Sequence, residues 1–173
     1  MRSLARAIGL FGLTAVLLAG GTLVERAISE SAQPVFSEIK WPFPIDQWGF
    51  GRAYRCTPGQ CGTEVTLFLR TKVGFCNCAS GIADDNEIDR VADFDLLQGR
   101  VQPLGAGKPV TVAEIPGRTR LFRIEGKAGS YALVIALSEY CDGFVATAVL
   151  EREPTPAIET AITNFLTPAR FNP

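Results

Sequence analysis

The chain has no histidine among its 173 residues. That absence removes imidazole general acid–base chemistry, Ser–His and Cys–His nucleophile pairs, and His ligands to a metal. An excess of one charge is missing too. The 17 Lys and Arg stand against 18 Asp and Glu, a net charge of −1, so no basic footprint for nucleic acid exists. Repeats and low-complexity tracts are absent. The phosphate-loop frame is incomplete: Gly105-Ala106-Gly107-Lys108 is followed by Pro109, which denies a phosphate the helix N-terminus it needs, and the segment reads as a turn. The carboxylates Asp84, Asp85, Glu87, Asp89, Asp93 and Asp95 depart from a calcium loop at Ile88 and Arg90 and read as a helix cap with a solvated face. No cofactor is called for, and outside the cysteines no residue set suggests a metal.

What is present begins with an uncharged apolar run over residues 7–24, preceded by Arg2 and Arg6. As a helix it would rise roughly 27 Å, close to the thickness of a bilayer core. The flanking arginines predict a cytoplasmic N-terminus and export of the remainder. Residues 1–28 therefore read as a single-pass transmembrane anchor in the inner membrane. The alternative is a cleaved signal, with small-x-small sites at Ala27–Ser29 and Ser29–Ser31, releasing a secreted or periplasmic protein.

Residues 29–51 read as a linker turning into an aromatic, proline-containing arm. Its residues Trp41, Phe43, Trp48 and Phe50 are too apolar to hang in water. They either cap the core or form an interaction surface, including a seat at a membrane interface.

Residues 52–173 read as one globular α+β domain with a mostly antiparallel sheet of about five strands. In residues 63–73, Val65, Leu67, Leu69 and Thr71 share one face, and Thr66, Phe68, Arg70 and Lys72 the other. Asp84 with Glu87 predicts a short acidic helix, lined by Ile88, Val91 and Ala92 and ended by Gly99. Four strands follow, at 109–115, 119–125, 131–138 and 144–150, with turns at Pro116-Gly117, 126–129 and Asp142-Gly143. The continuous apolar run 131–137 predicts a central strand buried on both faces. Arg118 and Arg120 read as decoration of an exposed strand, with Arg123 on its other face. Thr155 and Pro156 start a last helix, whose stripe Ile158, Ile162, Phe165 and Leu166 must lie on the sheet.

The five cysteines are Cys56, Cys61, Cys76, Cys78 and Cys141. In an exported chain disulfides are the default. An extended 63–73 strand separates the first pair from the second by roughly 35 Å, beyond disulfide reach. Cys56–Cys61 then closes locally across a Pro-Gly turn, one of Cys76 or Cys78 reaches Cys141, and one cysteine is left over. A metal or iron–sulfur site and a redox-active Cys76-Asn77-Cys78 are the competing chemistries.

The string Gly74-Phe75-Cys76-Asn77-Cys78, with Gly81, Ala83-Asp84-Asp85, Glu87 and Asp89, following Trp41-Pro42-Phe43-Pro44, resembles a pattern in small exported, membrane-anchored bacterial proteins of unassigned function. The resemblance implies a location, and it carries over no functional residue. The reading that results is a membrane-tethered extracytoplasmic accessory or protein-interaction domain without catalytic activity. Its partners would be the membrane and another membrane or periplasmic protein. The alternative is a thiol–disulfide or metal-handling protein using Cys76 and Cys78.

Overall fold

The computed structural model describes residues 34–74, 79–126 and 130–171. Its centre is an eight-stranded sheet, antiparallel at every pairing. In chain order the elements are β1 (Ser37–Ile39), β2 (Arg52–Cys56), α1 (Pro58–Cys61), β3 (Val65–Lys72) and α2 (Asp85–Val91). A 3-10 turn (Phe94–Leu96) then leads to β4 (Val101–Pro103), β5 (Lys108–Val112), β6 (Ile115–Ile124), β7 (Tyr131–Glu139) and β8 (Asp142–Leu150). The helices α3 (Pro156–Phe165) and α4 (Pro168–Phe171) close the chain. Across the sheet the order is β1-β2-β3-β8-β7-β6-β4, with β5 also on β6.

Two expectations about the architecture are corrected first. The sheet has eight strands, where about five were expected, because β1, β2 and β4 are too short to show a period. Among the described residues no helix is long and apolar enough to cross a membrane. The expected transmembrane helix at residues 1–28 has no support in the fold, and that segment lies outside the described residues.

The sheet is covered on both sides. β7 shows why. Leu133, Ile135 and Leu137 pack with Ile158, Ile162, Leu166 and Phe171 of α3, α4 and their link, while the alternate residues Ala132, Val134 and Ala136 pack with Ile88, Val91 and Leu97 around α2. Period-two alternation sends the two sets to opposite faces, and all six β7 residues are buried. We call these the helix face and the arm face. On the arm face, Phe68 and Ala53 lie beside Leu96, with Trp41 and Phe43 packed on them.

The helices start where polar caps place them. The Asp84 carboxylate accepts from the Glu87 N–H at 2.9 Å, and Pro156 opens α3 behind its N-cap Thr155, as residue types at these positions favour. The turn expected at Pro116-Gly117 sits earlier, at Ala113 and Glu114, both with positive φ. That backbone twist matches a two-residue hairpin, where Gly or Asn is usual. Pro116 lies inside β6, paired to Thr111 of β5 but before the β6–β7 ladder begins at Gly117, so no hydrogen bond to β7 is lost. Gly117 is there for space: a side chain would run into the Ala136 carbonyl.

Candidate functional site: an aromatic arm over a buried ion cluster

β3 places Phe68, Arg70 and Lys72 on the arm face, and residues 41–51 fold back over them. Trp41, Phe43 and Phe68 form an edge-to-face triad, with ring centroids 5.0 to 5.8 Å apart. The Arg70 guanidinium lies 5.0 Å from the Trp41 ring centre, and the Lys72 ammonium 5.2 Å from that of Trp48. Both are cation–π distances. Gly51 lets the arm lie this close, because a side chain there would meet the Leu69 carbonyl and the Trp41 ring.

The arm is pinned by its own turn. Asp46 Oδ1 accepts from the Trp48 N–H at 2.8 Å, and Gly49, with positive φ, donates to the Asp46 carbonyl at 3.0 Å. The other carboxylate oxygen accepts from Arg70 Nη1 at 2.7 Å. One Asp side chain thus shapes the turn and ties it to the sheet.

Beneath the arm the charges are buried. Arg70 is 1% exposed, Lys72 5% and Asp93 2%. Lys72 Nζ meets Asp93 Oδ1 at 2.9 Å and donates to the Val91 carbonyl at 2.6 Å, which is near the end of α2. Arg70 Nη1 reaches the same Asp93 oxygen at 3.4 Å. Burial raises the Asp93 carboxyl above its ordinary 3.8, and Lys72 and Arg70 only partly offset it. Asp46 goes the other way. Desolvation pulls it up, but the Trp48 N–H and the Arg70 and Lys72 charges together hold it below its ordinary value. Three buried donors, Arg70 Nε, Arg70 Nη2 and Trp41 Nε1, have no acceptor among the described residues. The cluster is chemically a clamp: it holds cations against rings and carboxylates.

A second charged cluster, also on the arm face, joins α2 to β6. Asp85 accepts from the Gly107 N–H at 3.0 Å and from Arg118 Nη2 at 2.7 Å. Asp89 accepts from Arg120 Nη1 at 2.6 Å. The Gly107 N–H first, then Arg118, hold the Asp85 carboxyl below its ordinary value. Arg118 and Arg120 are therefore largely buried partners of the acidic helix rather than decoration of an exposed strand, a correction that a charge count cannot supply.

Among the sequence candidates, Trp41, Phe43 and Trp48 are half-buried against the sheet, and Phe50 is 54% exposed. Cys56 and Cys61 form a disulfide with Cα atoms 6.0 Å apart, closing the β2–β3 connection around α1. Cys141 is also disulfide-bonded. Cys76 and Cys78 lie outside the described residues. Among the described residues no group of carboxylates and thiols is placed to hold a metal ion. Asp46, Arg70 and Lys72 were not read as site residues, and Asp93, read as part of a solvated acidic face, is instead buried between Arg70 and Lys72. Their one signal was that Arg70 and Lys72 share the face of Phe68. Comparison with protein families, with curated proteins and with solved structures finds no match to this chain.

Proposed function

We propose that the chain is an extracytoplasmic accessory domain, without catalytic activity, that binds another envelope protein through the outer surface of its arm. The observation that carries this reading is the pair Ile45 and Phe50. They are 64% and 54% exposed on either side of a turn that Asp46 and Arg70 fix to the sheet. Apolar side chains on a preorganised turn lose little entropy when a partner covers them. The location is supported by the Cys56–Cys61 disulfide, since such bonds persist in oxidising compartments, and by the arginine-flanked apolar run at residues 7–24.

The test is a photo-crosslinking residue placed at position 50 in the cell of origin, with an Ile45→Asp control. We expect one cross-linked protein species in the envelope fraction, lost in the control while the domain's melting temperature is unchanged. Cross-linking that survives the control, or a chain whose cysteines are all alkylated in intact cells before lysis, would refute the reading.

A further inference from the structure

On the helix face, α3 covers the β2–β3–β8 side of the sheet, and a groove remains between α3 and the β5–β6 margin. Two hollows of about 210 and 320 Å³ share Lys108, Thr119, Leu133 and Glu159 as lining. Together they lie near the small end of ligand sites, the size of an amino acid rather than of a larger cofactor. Val110 lines one hollow and Leu121 the other, and Leu133 is buried at 3% exposure.

Lys108 comes from β5 and Glu159 from α3, with Glu153 before α3 also lining the smaller hollow, and none of these three side chains is in an ion pair among the described residues. Arg120 also lines the smaller hollow, but its guanidinium is taken by Asp89 and the Gly105 carbonyl. Between the walls, the Thr119 hydroxyl is buried with no hydrogen-bond partner. A rotamer change is enough to turn a threonine hydroxyl toward a ligand, and an unpaired buried hydroxyl favours any ligand that satisfies it.

We propose that this groove binds a free amino acid with an apolar side chain. Its carboxylate pairs with Lys108 and the Thr119 hydroxyl, its ammonium pairs with Glu159, and its side chain covers Leu133, Val110 and Leu121. Lys108 with Glu159 and Glu153 around an apolar floor complements a zwitterion, and a purely anionic ligand would leave both carboxylates unmatched. The site is on the opposite face of the sheet from the arm, and it stands or falls independently of the arm's role.

Calorimetric titration of the purified full chain with L-leucine, N-acetyl-L-leucine and L-leucinamide tests it. Leucine should bind at millimolar concentration or below. Each blocked analogue should bind about tenfold more weakly, the loss expected for one charged hydrogen bond. Lys108→Met should weaken leucine to the level of the amide without weakening the amide further, and Glu159→Gln should do the same relative to the N-acetyl analogue. Unchanged melting temperatures would show both variants folded. Absence of leucine binding at millimolar concentration, or equal binding of all three compounds, overturns the proposal.

Discussion

The two faces of the sheet are covered by different means. On the helix face, Ile158, Ile162, Leu166 and Phe171 lie on Leu133, Ile135, Leu137 and their neighbours, and Thr71 Oγ1 donates to the Phe171 carbonyl at 3.1 Å. On the arm face, apolar contacts share the work with charges: Arg70, Lys72, Asp93 and Asp46 under the arm, and Arg118, Arg120, Asp85 and Asp89 under α2. Apolar contact tolerates many arrangements of similar volume, whereas ion pairs demand one geometry. The arm face is therefore where cover is fixed in position and where pH acts.

The sharpest way to break this contrast is to remove Asp93. Asp93→Ala leaves Arg70 and Lys72 buried with only Asp46 nearby, and should lower unfolding free energy by about 4 kcal/mol in urea titrations. Replacing the three together, Arg70→Met, Lys72→Met and Asp93→Leu, should lose far less, because buried ion pairs seldom outweigh well-packed apolar groups. If the triple variant is as unstable as Asp93→Ala, packing rather than charge governs the arm face too.

Next in size is the helix face. Ile162→Ala removes a fully buried side chain and should lose about 3 kcal/mol, the middle of the range for such truncations. This loss should change little across acid and neutral pH, since the cluster around Ile162 is apolar apart from the Tyr54 phenol and the Cys56–Cys61 disulfide.

The Cys56–Cys61 bond contributes less. Its loop is short, with a sequence separation of 5, and a Cys56→Ser/Cys61→Ser variant should lose about 2 kcal/mol by loop-closure entropy. Urea titrations of the variant against the wild-type chain, both without reductant, check it.

The smallest effect is the one with a sign. Asp93 binds its proton more readily in the folded than in the unfolded chain. Its ionisation therefore takes stability away as pH rises above the ordinary value of 3.8. Asp46 and Asp85 are held low, so the stability they contribute is complete above that value and is lost as pH falls through their lowered values. Stability measured against pH should flatten on its upper side in the triple variant and on its acid side in Asp46→Asn. A triple variant that keeps the upper slope would take Asp93 out of the account.

What the sequence made legible was whatever repeats over a short distance. The alternation in β3, the doubly buried β7, the cap at Asp84, the Thr155-Pro156 start of α3 and the local Cys56–Cys61 bond all depend on neighbours within a few residues. What stayed hidden depends on partners far along the chain. Arg70 meets Asp46 and Asp93 from 24 and 23 residues away, and Arg120 meets Asp89 across 31. A charged residue in one strand reads as solvent-facing until its partner is placed. β1 and β4, of three residues each, carry no period to detect, and they owe their extended form to β2 and β6 beside them.

The shortness of those strands bears on how the protein behaves when crowded. One margin of the sheet is β1, three residues long; the other is divided into β4 and β5 by the Leu104–Gly107 interruption, with Pro103 and Pro109 inside the two pieces. An incoming strand needs a long, flat, unbroken row of backbone donors and acceptors to add itself to a sheet. Neither margin offers one, and proline supplies no donor. Among the described residues the folded domain thus offers little template for an added strand, and fibre formation is expected to start from unfolded chains.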